Sequence, residues 1–179
     1  MQYFMKQLER ERVFLVEKLP TDINEYISIP ISVGDFFESN DSDALKIRQK
    51  GDNYHLIKKE TNSAHERVEH VINIKKGEFD ALMKCAIQSH RKNRYMYPCD
   101  KHICEIDYYL DKLDGYARVE VEFDNNEDMF NFLPLKWFGS EITEINHEIH
   151  ENLGVVTFDD MKERYHQRGI ILNKVLFTK

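Results

Sequence analysis

Glycine and proline are scarce in this chain, seven and four residues among 179. That scarcity argues against a linker-rich or disordered chain. Cysteine is scarcer still. Cys85, Cys99 and Cys104 form an odd set with no CxxC spacing, and a reducing cytoplasm is the expected setting. No apolar run approaches the roughly 20 residues that cross a bilayer. The first few apolar residues meet the charged run from Glu9 to Arg12 too soon for a signal peptide. No glycine-rich phosphate loop is present, which argues against a P-loop fold. Positive charge is in deficit as well: 25 Lys and Arg against 32 Asp and Glu leave a formal net charge of −7. Broad nucleic-acid binding and adhesion to anionic membrane are disfavoured, but a local basic pocket is not.

What is present fits one soluble domain over residues 1–179, large enough for a real core. Residues 8–16, 27–33, 44–49, 54–59, 66–74, 91–97, 104–110 and 116–123 read as strands. Lys50-Gly51-Asp52-Asn53 is a hairpin turn, Asp114-Gly115 a second turn, and Asp41-Ser42-Asp43 a turn cluster. Phe79, Leu82, Met83, Ala86 and Ile87 fall at helical spacing, so residues 78–90 are expected to leave the sheet as an amphipathic helix. Asn125 caps a helix running towards Pro134, and residues 140–152 and 159–167 are further helix candidates. The expected fold is α+β, mainly β: an eight-stranded antiparallel closed barrel, a tunnel, with helices packed outside.

Side-chain parity carries the chemistry, because alternate residues of a strand share a face. Glu9 and Glu11 share one face early in the chain, and Glu120 and Glu122 share one late, with Val119, Val121 and Phe123 opposite. Between them, Lys46 with Arg48, Arg67 with Glu69, Lys92 with Arg94, and Glu105 with Asp107 form similar pairs. Four carboxylates on strand faces repel one another unless cations sit among them. Any half-exposed sheet alternates in this way, and a single pair such as Glu105 and Asp107 is better read as solvated. The ordered set reverses that judgement. Arginine grips phosphate oxygens with forked, charge-assisted hydrogen bonds, while carboxylates hold Mg²⁺ or Mn²⁺ and the ion bridges to phosphate. The set therefore suits a metal-bound polyanion.

These segments resemble the CYTH proteins, also called triphosphate tunnel metalloenzymes. Glu9-Arg10-Glu11-Arg12-Val13-Phe14-Leu15-Val16 is similar to their ExExK signature and the Phe-Leu-Val that follows it. Leu45-Lys46-Ile47-Arg48-Gln49-Lys50-Gly51 resembles the LRIR-x-x-G strand, and Leu56-Ile57-Lys58-Lys59 the L-T-x-K strand. Arg67-Val68-Glu69, Lys92-Asn93-Arg94-Tyr95, Glu105-Ile106-Asp107 and Glu120-Val121-Glu122-Phe123 follow in the family's order, as does Trp137-Phe138-Gly139-Ser140-Glu141-Ile142-Thr143. The resemblance implies that Glu9, Glu11, Glu69, Glu120 and Glu122 hold Mg²⁺ or Mn²⁺, with Glu105 or Asp107 in support. It implies that Lys46, Arg48, Lys59, Arg67, Lys92 and Arg94 bind phosphate, and that Lys92, Glu120 and Glu122 are catalytic, Lys92 assisting the attacking water.

The expected activity is metal-dependent hydrolysis of inorganic tripolyphosphate or of a nucleoside or RNA 5′-triphosphate. The partner is then a triphosphate-containing small molecule or polyphosphate, with no membrane involved and a homodimer compatible. Two alternatives stand beside it: class IV-type adenylate cyclase chemistry, and triphosphate binding without turnover. Val13 stands where the signature has lysine, which removes one phosphate contact unless Lys6 or Arg10 replaces it. Phe36 stands where an aromatic hydroxyl is usual. The segment Cys99 to Cys104 lacks a fourth zinc ligand. His147-Glu148-Ile149-His150 has its histidines three apart rather than four, so a solvated helix face explains it better than a metal site. Tyr108, Tyr109 and Tyr116 are expected on the barrel exterior and in the core.

Overall fold

The computed structural model describes residues 4–37 and 44–177. Nine strands, β1 (Phe4–Val16), β2 (Ser28–Asp35), β3 (Ala44–Lys50), β4 (Asn53–Thr61), β5 (Glu66–Ile74), β6 (Gln88–Cys99), β7 (His102–Tyr109), β8 (Ala117–Glu122) and β9 (Phe138–Glu141), form one antiparallel sheet. Its order is β5-β4-β3-β2-β6-β7-β8-β1-β9, and a further β1–β5 pairing closes the first eight into a barrel. Closure is possible because β1 is long. Residues 4–10 of β1 pair with β5, and residues 11–15 pair with β8. Beyond β5, the last residues of β1 take β9 as their neighbour.

The β3–β4 hairpin turns through Gly51, whose φ of 58° is the left-handed conformation that primed turns ask of glycine. Among the described residues the α-helices are α1 (Lys76–Met83), α2 (Asn126–Asn131), α3 (Asn146–Ile149) and α4 (Phe158–His166). The Asn125 side chain accepts from the Asp128 amide and starts α2, and Thr157 with Asp160 forms a capping box on α4. The turn expected at Asp41 to Asp43 lies outside the described residues.

Two apolar clusters divide the work. One covers the outer wall of β1, β6, β7 and β8: Phe14, Val16, Ile106, Val119 and Val121 meet Met129, Phe132 and Phe138 from α2 and β9. The other closes one end of the barrel. Val13 and Leu15 of β1 join Tyr109, Tyr116, Ile142, Ile149, Leu153, Met161 and Tyr165 there. The greasy exterior matches the sequence reading, but the apolar floor inside does not, since residues 142–153 fold across the barrel mouth. Gly154 makes that approach possible: a Cβ there would lie 2.5 Å from the Ser89 amide nitrogen.

Two helical expectations are corrected. The helix expected over 78–90 stops at Met83, because Gln88 to His90 pair with Val33 to Asp35 and extend β6. The helix expected over 140–152 is the end of β9, a 3₁₀ turn and the single turn of α3.

Candidate active site

The barrel encloses a cavity of about 180 Å³ lined by side chains from β1, β2, β3, β4, β5, β6, β7 and β8 and by the 143–153 segment. The residues that the resemblance assigned to metal and phosphate line it, Glu9, Glu11, Lys46, Arg48, Lys59, Arg67, Glu69, Lys92, Arg94, Glu120 and Glu122, whereas the parity pair Glu105 and Asp107 does not. Strand pairing explains the convergence. Glu9 lies opposite Arg67, Glu11 opposite Glu122, and Val13 opposite Glu120. One acid pair therefore faces the other across a single strand boundary.

The charges neutralise one another locally. Arg67 is paired with Glu11, and Lys59 with Glu69 and, at 4.0 Å, with Glu9. Lys46 Nζ is 3.2 Å from Asp35 Oδ1, and Arg48 Nη1 is 4.0 Å from Glu69 Oε2. Arg94 is a buried hub: Nε and Nη2 each donate to Asp107 at 2.7 Å, Nη1 to Glu105, and Nη2 also to Glu120. Lys92 donates to Asp107, which is fully buried. Glu105 and Asp107 thus sit behind Lys92 and Arg94 and hold them, rather than standing in the cavity themselves.

Titration behaviour divides the acids. Burial is opposed by Arg118 and Arg94, which hold Glu120 well below the usual carboxylate range. Asp107 is likewise held low by Arg94 and Lys92 against its burial. Glu9 behaves otherwise: burial, with Glu69, Glu11 and Glu122 nearby, lifts it to about 8 although Lys59 opposes. Glu122, exposed at the cavity rim, is lifted to about 7 by partial desolvation and by Glu105, Glu120 and Glu11. Burial also lowers Lys92 to about 8, against the pull of Asp107. Glu9 and Glu122 are therefore acids short of cationic neighbours, in a cavity otherwise rich in them.

Residues the sequence reading did not assign also line the cavity: Arg118, His90, Thr143, Asn146 and His150. Arg118 shares the parity of Glu120 and Glu122, so its strand carried the signal. His150 did not, and the solvated reading of its segment is corrected there, although His147 and Glu148 are exposed. The half-buried His150 ring packs against Arg118 and Tyr116, with Nδ1 3.0 Å from Arg118 Nη1. Neither Lys6 nor Arg10 replaces a lysine at Val13. Lys6 is exposed, and Arg10 turns to the barrel exterior beside Glu66. Arg12 is external too, bidentate to Glu141 at 2.7 and 2.8 Å. Tyr109 lines the cavity as well as the floor, while Tyr108 packs outside.

Comparison with known proteins agrees with this geometry. No family model matches the chain. It is 33% identical over 139 residues to an inorganic triphosphatase from Nitrosomonas europaea, spanning 76% of this chain and 89% of that protein. A crystal structure of an inorganic triphosphatase superposes with a TM-score of 0.61 at 29% identity, over 82% of this chain and 94% of that one. A candidate adenylate cyclase from Bacillus halodurans shares the fold, with a TM-score of 0.51 at 17% identity over 70% and 85% of the two chains. With one continuous match across most of both sequences and the same barrel beneath it, this chain belongs to the inorganic triphosphatase family.

Proposed function

We propose that this protein is a CYTH-type triphosphate tunnel hydrolase acting as one domain, which binds a triphosphate chain in the barrel cavity and releases orthophosphate with a divalent metal, Mg²⁺ or Mn²⁺. The observation that carries this reading is the joint presence, in one closed cavity, of a cationic lining and of two acids lifted towards neutrality. A bare basic pocket would trap a polyanion; a bare acidic one would repel it.

The donor set fits a hard divalent cation. Glu9, Glu11, Glu120 and Glu122 supply carboxylate oxygens from two paired strands, with Glu69 next to Glu9. Among the described residues no three such groups already converge on one point. Arg67 occupies Glu11, and Arg94 with Arg118 occupy Glu120. When bound, the ion neutralises phosphate charge and lowers the pKa of a coordinated water.

The chain's own residues do the rest. Lys46, Arg48, Lys59, Arg67 and Arg94 grip the equatorial and bridging oxygens and hold the chain in line for attack. Their present carboxylate partners keep them oriented until phosphate oxygens replace some of those contacts. Lys92 Nζ, lowered to about 8 by burial, is partly neutral near physiological pH and takes a proton from the attacking water. A water oxygen–phosphorus bond forms, the bond to the bridging oxygen breaks, and the departing phosphate leaves with the electron pair. Burial by the 143–153 segment excludes bulk water from one end.

No helix among the described residues is long and apolar enough to cross a membrane. The three cysteines are free thiols, compatible with the cytoplasmic setting that we also propose. Incubating the purified protein with tripolyphosphate or ATP and either metal tests the function. Orthophosphate is the expected product. Pyrophosphate with a cyclic nucleotide would instead mark cyclase chemistry, and tight binding without any product would mark a non-catalytic receptor. Either result overturns hydrolysis.

A further inference from the structure

At the inner end of the cavity, against the apolar floor, one guanidinium is held in a polar cradle with one donor left over. Arg118 Nη1 donates to Asn146 Oδ1 at 2.8 Å and to His150 Nδ1 at 3.0 Å. Its Nη2 lies 2.5 Å from Glu120 Oε1, and its buried Nε has no hydrogen-bond partner. Arginine only donates, so His150 must accept at Nδ1 and carry its proton on Nε2. That proton is donated to the Tyr116 hydroxyl, whose own proton then goes to the Tyr165 hydroxyl 2.8 Å away. Donation thus runs in one direction, from Arg118 in the cavity out to Tyr165 on the closing helix α4. A protonated His150 would set two N–H groups against each other, and the ring is accordingly neutral.

This cradle does more than bury a charge. Glu120 is already partnered by Arg94, so Arg118 is not needed to neutralise it. Val13, directly opposite Glu120 on β1, is fully buried and offers no cation at this depth. Arg118 enters the same level from β8, two residues before Glu120, with a donor still unused.

We infer that Arg118 grips the inner phosphoryl group of the bound triphosphate chain, and that His150, fixed by Tyr116, is the positioning residue that aims it. The assignment rests on the proposed hydrolase function and adds to it a site-specific contact supplied by two elements the strand pattern does not pair. The closing segment then serves as part of the binding site as well as a stopper.

Steady-state kinetics with tripolyphosphate at saturating metal test it. Arg118→Gln is expected to raise KM about tenfold to a hundredfold, the loss of a charge-assisted contact, with Arg118→Lys recovering part of it. His150→Ala should raise KM by a smaller factor. His150→Asn, whose side-chain oxygen can replace Nδ1 as acceptor, should recover part of that loss, which a merely structural role would not produce. Val13→Lys combined with Arg118→Ala restores a cation at the same depth and should bind better than Arg118→Ala alone. Circular dichroism and calorimetric binding of tripolyphosphate keep the test valid if one variant folds poorly. Should the unmodified protein release no orthophosphate, the hydrolase reading fails. Should it turn over normally while folded Arg118→Gln keeps its KM, only the Arg118 assignment fails.

Discussion

Metal binding by this site should release protons, and the number is set by two carboxyls. Glu9 stands at about 8 and Glu122 at about 7. Both are raised acids, so each is protonated below its own value and must lose that proton to become a ligand. At pH 7, Glu122 is about half protonated and Glu9 about nine-tenths, so binding one ion should liberate about 1.4 protons. By pH 6 both are nearly fully protonated, and apparent affinity should be about a thousandfold below its alkaline plateau, roughly a hundredfold from Glu9 and tenfold from Glu122. Titration calorimetry with Mn²⁺ in two buffers of different ionisation enthalpy reads the proton count directly. Glu9→Gln should reduce it to about half a proton at pH 7. Glu120 and Asp107, held low by their arginine and lysine neighbours, add nothing in this range. A proton count near zero at pH 7, or affinity that does not change between pH 6 and 8.5, would refute the assignment of Glu9 and Glu122 as ligands.

Other expectations follow from the same contacts. Arg94→Ala should destabilise the fold by about 3–5 kcal/mol, because Asp107, Glu105 and Glu120 lose a shared buried partner; urea unfolding measures it, and a stable variant with only a kinetic defect would contradict the hub role. Lys92→Arg should retain binding of tripolyphosphate but lose the rise in kcat as pH approaches 8, since arginine stays protonated; an unchanged pH profile would remove Lys92 from proton transfer. Gly154→Ala should loosen the closing segment by forcing its backbone from Ser89, read as faster amide exchange over residues 143–153 and a higher KM. Unaltered exchange there would show that the segment tolerates the displacement.

The lumen was legible because a strand has a period of two, and that period survives in a barrel. Glu120 and Glu122 face inward while Val119 and Val121 face the outer core, as their alternation requires. Arg118 was legible by the same rule and needed only one more step along its strand. The limits appear where period gives way to pairing. Ala86 and Ile87 continue the spacing of α1, yet the bond from the Ile87 amide to the Asp35 carbonyl draws the chain into the sheet. Asn146 and His150 come from a single helical turn and its C-terminal cap, with no repeat to read. A side chain whose partner is Arg118, 32 residues away, leaves no local trace.

The double allegiance of β1 has a consequence for assembly. Its first half needs β5 and its second half needs β8, so the ring is unfinished until a strand made long after β1 comes back to meet it. Contacts so distant along the chain impose a large loop-closure cost before they stabilise anything, which favours slow acquisition of the native state. Until β8 arrives, β1 has an open edge beside Glu9 and Glu11, and charge on an edge strand disfavours the addition of a neighbour's strand there.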